Sequence, residues 1–443
     1  MLTSESFHTH TLFRHLYGEA VTRILTAAIQ AVEPQAAVRN FVERHGQTLS
    51  ISGNEYHLDK KGRILLLGLG KASYAMTLPL MDLLADHSPR GLLIPKQTPA
   101  HPLSGFNIQP GGHPVPDENS LRAGVKAIQL TQGLNENDLL ICLISGGGSA
   151  LMSAPHTGIS LTDLQELTSL LLACGARIDE INTLRRHLDK LKGGGLAKLA
   201  SPARVVSLIL SDVVDSPLEA IASGPTSPDP STRADALAVL EKYGLQKIIP
   251  AAILKALETV PETPKPGDGL FERVQNVIVG NNLLAAQSAL EQAKAEGFHP
   301  QLLGNNWQGE SREVGKNLSN ILKSTTTPRP FCLVAGGEST VTLHGRGRGG
   351  RNQELALASV RELASVDNVL LITLATDGED GPTDAAGAVV NGSTLQRGLE
   401  IGLSPETFLD NNDSYNYFSA LNDLLQPGPT GTNVNDLIFC FGV

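Results

Sequence analysis

Apolar residues along the chain fall into short unbroken runs, each followed by a glycine or a small polar loop and then by helix-like spacing. Arg63–Leu67 precedes Gly68–Lys71, Asp138–Ile144 precedes Ser145–Ser149, and Arg204–Leu210 precedes Ser211–Asp212. Val274–Val279 before Gly280–Asn282, Phe331–Val334 before Ala335–Glu338, and Asn368–Ala375 before Thr376–Asp377 repeat the rhythm. Strands that are apolar at nearly every position are buried on both faces, as parallel strands under crossover helices are. The pattern predicts an α/β chain with doubly wound architecture. Thr11–Phe41 carries apolar residues near a 3.6 period, with Pro34 placed to break or restart a helix. Pro261–Gly269 (PETPKPGDG) reads as a linker, so the expected domains are 1–260 and 270–443. Ligands of such sheets sit beyond the carboxyl ends of the strands, which directs attention to the glycine loops there.

Composition narrows the function. An apolar share of 41% over 443 residues supports a sizeable core and excludes a disordered chain. The longest apolar runs are far shorter than the ~20 residues of a membrane span. No basic-then-apolar leader opens the sequence, so a cytoplasmic protein is expected. A net charge of −10 argues against a nucleic-acid partner, which would require a basic face. The four cysteines are isolated and lack metal-ligand spacing, so buried free thiols in a reducing compartment are expected.

Several loops carry candidate chemistry. Gly68-Leu-Gly70-Lys71-Ala-Ser73 follows one apolar run, and glycines there let backbone N–H groups approach an anion. It meets neither the Walker A spacing nor the dinucleotide fingerprint, whose third glycine is Ser73 here. Ser145-Gly146-Gly147-Gly148-Ser149 follows another run and suits an anion-binding nest. In Ile181–Leu199, Asn182, Arg186 and Lys190 are spaced to share a helix face, with Arg185, His187 and Lys192 nearby. That face is a candidate for holding a carboxylate or phosphate. Gly345–Glu354 (GRGRGGRNQE) alternates glycine with arginine, whose planar fork matches phosphate oxygens. Asn282, Gly337 and Glu338 sit at further strand ends. Asp212 and Asp377 follow strand-like runs and are candidate Mg²⁺ ligands. No G-x-S-x-G elbow or other hydrolase set is present.

Taken in order, GLGKAS (68–73), GGHPVPD (111–117), SGGGSAL (145–151), INTLRRHLDKLKGGGLA (181–197), LSDVVDSPLEAIASGPT (210–226), AGGEST (335–340), GRGGRNQE (347–354) and TDGEDGPTDAAGA (376–388) resemble the type-2 glycerate kinase family. The C-terminal region of that family is called the MOFRL domain, here about 330–440. The resemblance implies two Rossmann-like α/β domains with a cleft between them. It also implies phosphorylation of D-glycerate by ATP with Mg²⁺, giving 2-phosphoglycerate. The lysine and arginine it implies as catalytic are Lys71 and Arg351. Gly70, Ser73, Ser145, Gly146, Gly147, Gly148, Ser149, Arg186, Lys190, Asn282, Gly337 and Glu338 are the candidate phosphate-, nucleotide- or substrate-binding residues. Which loop takes ATP and which takes glycerate stays open, and a homodimer is an option. Two alternatives stand beside the kinase. One is an NAD(P)H-dependent hydroxypyruvate reductase, and the other is a non-catalytic sensor of a phosphorylated sugar acid.

Overall fold

The computed structural model describes residues 2–58 and 62–443. These form two units, each built on its own sheet. Ala37–Ser211 with Ser216–Val279 makes a parallel-sheet unit, and Met1–Ala36, Asp212–Asp215 and Gly280–Val443 make a mixed-sheet unit.

In the parallel-sheet unit, β1 (Val42–His45), β2 (Thr48–Ile51) and β3 (Asn54–His57) form a small antiparallel sheet. The main sheet uses β4 (Ile64–Leu69), β5 (Arg90–Ile94), β6 (Phe106–Ile108), β7 (Leu139–Ile144), β8 (Arg204–Leu210) and β9 (Val274–Gly280). Their order is β6-β5-β4-β7-β8-β9. β4 lies between β5 and β7, parallel to both, and β5–β6 and β7–β8 are parallel too. All six residues of β7 are buried, as expected of a strand with both faces covered. The chain reverses its winding direction after β6, since β7 returns to the other side of β4. The loops after β4 and β7 therefore lie side by side at a topological switch point.

The mixed-sheet unit departs from the doubly wound expectation. Its strands are β10 (His299–Glu310), β11 (Phe331–Thr340), β12 (Val369–Ala375), β13 (Gly387–Asn391), β14 (Leu424–Leu425) and β15 (Asp436–Gly442). The order is β10-β11-β15-β12-β13-β14, and only β10–β11 is a parallel pair. The last strand, β15, runs antiparallel to both β11 and β12 between them. Leu333 and Ala335 of β11, Leu371 of β12, Val390 of β13 and Cys440 of β15 join one core. The alternate residues Cys332, Val334, Leu370, Ile372, Phe439 and Phe441 are equally buried on the opposite face. Both faces are thus covered, and continuous apolar runs arise in antiparallel strands as readily as in parallel ones.

The boundary also differs from the expected division at 261–269. The helix Gly18–Ala31 packs on the helix Asn282–Ala295, and Arg23 pairs with Glu296 at 2.7 Å. Thr11 N–H donates to Asp423 Oδ1 at 2.8 Å. Residues 2–36 therefore belong with the C-terminal strands. The proline-rich segment is pinned within the parallel-sheet unit. Thr263 Oγ1 donates to Asp229 Oδ2 at 2.9 Å, and the Asp229 N–H donates to Pro264 O at 2.9 Å. Pro34 opens the short helix Pro34–Arg39, so it restarts the helical region.

Candidate active site

In the parallel-sheet unit the β4 and β7 loops are stitched together by backbone and by one hydroxyl. The Lys71 N–H donates to Gly146 O at 3.1 Å, and the Ala72 N–H donates to Ser145 Oγ at 3.0 Å. Gly70 sits at φ +120°, and a Cβ there would strike Ser145. Ser145 is thus a buried clamp between the loops. Ser73 is fully buried as the first residue of the helix Ser73–Leu83, and its Oγ finds no partner among the described residues. Neither hydroxyl faces an open site, contrary to the expectation that they bind phosphate.

What the stitched loops do present is cationic. Lys71 is exposed, and its Cε lies 3.6 Å from where a Cβ on Gly147 would stand. His113 flanks the same glycine, with Cδ2 at 2.9 Å from that position. Gly147 has φ +87°, so this conformation and this space both require glycine. Burial, helped by Lys71 and Lys96, pulls the His113 pKa below its ordinary value, leaving the ring neutral at pH 7. Gly148 is packed against Ala222 and Leu69. Ser149 Oγ stands 2.9 Å from Ser223 Oγ.

The basic face expected over 181–199 is broken up. The helix Ile178–Leu188 ends before Lys190, because Asp189 is extended (φ −128°, ψ 135°). Lys190 is exposed on the following segment and does not share a face with Arg186. Arg186 Nε is buried 2.8 Å from Asp229 Oδ1, and its fork also reaches Glu219 O, Thr183 Oγ1 and Ser231 Oγ. Lys192 is likewise buried against Asp189 at 2.7 Å. Both are committed to the fold. Arg185, absent from the expected binding set, is the cation left over in this helix: among the described residues no carboxylate lies within ion-pair distance of it. Its sequence signal was visible only as one of three neighbouring bases, and sequence alone could not say which would find an acid.

In the mixed-sheet unit, Arg351 opens the helix Arg351–Glu362. Its Nε and Nη2 donate to the two oxygens of Asp436 at 2.6 and 3.1 Å, and Nη1 donates to Glu338 Oε1 at 2.6 Å. Burial opposes the arginine's charge, but Asp436, Glu338 and Asp380 outweigh it and raise its pKa. Burial raises the Asp436 pKa despite Arg351 beside it. Asp380 caps the same helix, accepting the N–H groups of Asn352 and Gln353 at 3.1 and 2.9 Å. Burial, with Asp436 adding to it, pushes the Asp380 pKa up to about 7. Asp436 carried no motif in the sequence beyond being an acid at the head of an apolar run.

The remaining candidates divide between structure and site. Asn282 is buried, and its amide donates to the carbonyls of Val434 and Asp436 at 3.0 and 2.8 Å. A side chain on Gly336 would collide with it. Asn282 therefore clamps the segment that presents Asp436 and is not itself a ligand group. Gly337 is buried where a Cβ would strike the Trp307 backbone. The loop glycines 345, 347, 349 and 350 abut Asn411, Asp413, Ser414 and Asp380 respectively. Their lack of side chains serves packing within the unit. Arg348 stacks over Tyr415 at 4.0 Å from the ring centre, whereas Arg346 stays exposed.

Glu338, Arg346, Gly350, Arg351, Asp377, Glu379 and Asp380, with Asp212, line an open cavity of about 1260 Å³. Burial raises the Asp377 pKa, a penalty that a bound cation would relieve. Among the described residues no group of three or more His, Cys, Asp or Glu is placed to hold a metal. Mg²⁺ usually takes only one or two carboxylates and completes its shell with water and phosphate. Asp377 and Asp212, both on the cavity wall, are the carboxylates that could hold such an ion. No helix among the described residues is long and apolar enough to cross a membrane.

Comparison with known proteins bears on the family. The family described as domain of unknown function DUF4147 matches residues 20–258, and the MOFRL family matches 331–436. The D-glycerate 2-kinase of Thermotoga maritima is 41% identical, over 94% of this chain and 96% of its own. An Agrobacterium vitis relative, provisionally named a hydroxypyruvate reductase, is 38% identical over 95% of this chain and 93% of its own. A crystal structure of glycerate kinase from Thermotoga maritima superposes with a TM-score of 0.86 at 39% identity. That match covers 96% of this chain and 99% of the other. The chain belongs to the glycerate kinase family that carries the MOFRL domain.

Proposed function

We propose that the chain transfers the γ-phosphoryl group of ATP to the 2-hydroxyl of D-glycerate, giving 2-phosphoglycerate and ADP. The hydroxyl oxygen attacks the γ-phosphorus, the bond to the ADP oxygen breaks, and the hydroxyl proton is lost. The observation that carries the reading is Arg351, held rigid by Asp436 and Glu338 at a cavity that also holds Asp377 and Asp212. Phosphoryl transfer depends on positioned charge rather than on covalent help from the protein. A guanidinium fixed on two carboxylates needs no reorganisation when charge builds on the transferring group.

In this reading the mixed-sheet cavity takes the polyphosphate and its metal. Mg²⁺, held by Asp377 and Asp212, would supply charge neutralisation for the polyphosphate. The glycine loops around Lys71 take the anionic acceptor, and Lys71 and Arg351 serve one reaction. The cysteines, all four free, suit a cytoplasmic enzyme.

The Agrobacterium name favours a reductase as the second reading. Against it, the third glycine of a dinucleotide fingerprint is Ser73, and β5 runs into Pro95 and Lys96 with no ribose-binding acid. The test is direct. Purified protein with ATP, Mg²⁺ and D-glycerate releases ADP and phosphoglycerate, and leaves NADH and NADPH unconsumed with hydroxypyruvate. Failure to form phosphoglycerate with any divalent cation, or oxidation of either nicotinamide, overturns the reading.

A further inference from the structure

We propose that Arg185, set over the Asn182–Ser223–Ser149 network, is the clamp for the carboxylate of the acceptor. The inference rests on the glycerate kinase reading for its substrate, and it narrows the basic cluster of 181–199 to one residue and one ligand group.

Three independent features converge on this arginine. The first is its lack of an acid. Its helix neighbours Arg186 and Lys192 are each neutralised by a buried aspartate, Asp229 and Asp189. The one side-chain hydrogen bond found for Arg185 among the described residues is a long one, 3.5 Å, to the neutral Asn182 Oδ1. Burial alone pulls its pKa down, with no charged group compensating. A half-buried guanidinium without a counter-charge costs free energy, and the fold has acids enough to have supplied one. A ligand carboxylate would complete it bidentately.

The second feature is the polar network beside it. Asn182 Oδ1 also accepts from Ser223 Oγ at 3.4 Å, and Ser223 meets Ser149 at 2.9 Å. Ser149 closes the glycine loop whose Gly147 is flanked by Lys71 and His113. Ser149 thus links the Asn182–Ser223 pair beside Arg185 to the loop that Lys71 borders. Ala222 and Ser223 are held at φ +51° and +59°, a left-handed conformation that side-chain-bearing residues avoid. Strain of this kind persists where the surroundings impose it, often at ligand sites.

The third feature is size. Arg185 and Ser149 line a cavity of about 40 Å³. The rest of its wall is largely apolar, with Leu167, Leu171, Ile181, Leu184 and Leu188, so the guanidinium is the cavity's uncompensated charge and a nucleoside triphosphate is too large for it. The Asp189 that shares the cavity is already engaged by Lys192, Ser153 and the Ala154 N–H, so it does not compete for the arginine.

The experiment measures D-glycerate binding by calorimetry without nucleotide, alongside initial rates with D-glycerate and ATP varied in turn. It compares the wild type with Arg185→Gln and Arg185→Lys, the lysine variant guarding against misfolding. D-Glyceramide, the neutral amide, serves as the probe of carboxylate recognition. Losing charge-assisted hydrogen bonds predicts a Kd and KM for D-glycerate raised about 10- to 100-fold in Arg185→Gln. The lysine variant recovers part of the loss, and KM for ATP stays within about twofold. The wild type prefers glycerate to glyceramide, and Arg185→Gln loses that preference. Unchanged glycerate binding in folded variants, a rise confined to KM for ATP, or a wild type that binds the acid and amide equally overturns the clamp. Wild-type binding lost in Arg185→Gln, with no phosphoglycerate formed by either, sinks the kinase reading and leaves the clamp standing.

Discussion

Replacing Arg186 with methionine separates the two roles that a cation in this helix can have. The change keeps most of the aliphatic stem and removes the charge that faces Asp229. Asp229 is fully buried and would be left with the Ser231 N–H at 3.0 Å, Ser231 Oγ at 2.6 Å and Thr263 Oγ1 at 2.9 Å. Breaking one side of a buried pair typically costs 3–5 kcal/mol, and the three surviving donors hold the loss near about 3 kcal/mol. With an m-value of about 3 kcal/mol/M in urea, the midpoint of the affected transition falls by about 1 M. Trp307, the only tryptophan, sits in β10 of the other unit, so far-UV circular dichroism is the suitable probe. Per folded molecule, KM for D-glycerate changes by no more than about twofold, equivalent to roughly 0.4 kcal/mol. An unmoved midpoint together with a tenfold or larger rise in that KM would refute the reasoning and return Arg186 to the ligand set.

Other expectations concern the charges around the proposed chemistry. Lys71→Ala and Arg351→Ala each lower kcat by about 10²–10³-fold while the circular dichroism spectrum is kept, and near-normal turnover in either removes that residue from the transfer. The Asp380 pKa is raised on folding, so the folded state binds the extra proton between the unfolded value and about 7. Its contribution to stability is full below about pH 4 and is lost as pH rises towards 7. Urea titrations at several pH values should show this slope in the wild type and a flatter one in Asp380→Asn, and equal slopes would contradict it. Lys71→Ala should move the His113 pKa upward, since Lys71 helps to keep it low. An NMR titration showing no shift, or a downward one, would place Lys71 elsewhere.

Much of the parallel-sheet unit is legible in the sequence because its strands are apolar throughout and end at glycines. The runs expected at Arg204–Leu210 and Asp138–Ile144 coincide with β8 and, within one residue, with β7. Strand direction was not legible. A strand buried on both faces has the same composition in either orientation, so β15 gave no hint that it would return antiparallel between β11 and β12. Chain ends that pack far from their sequence neighbours, such as Thr11 on Asp423, are equally silent. For the site, the loops were found but the partners were not. Arg186 and Lys190 are four residues apart, yet an extended Asp189 separates them, and nothing local announces that Asp229 neutralises Arg186. The glycine-arginine stretch looked shaped for a ligand. Its glycines instead make room for Asn411, Asp413, Ser414 and Asp380, and its three arginines divide into one stacked on Tyr415, one exposed and one locked by Asp436 and Glu338.

The central claim is a phosphoryl transfer to the 2-hydroxyl of D-glycerate. Phosphorus NMR of a reaction containing purified protein, ATP, Mg²⁺ and D-glycerate tests it most directly. The account predicts that ADP appears together with 2-phosphoglycerate in equal amounts. ADP with 3-phosphoglycerate, ADP with inorganic phosphate alone, or unchanged ATP would contradict it.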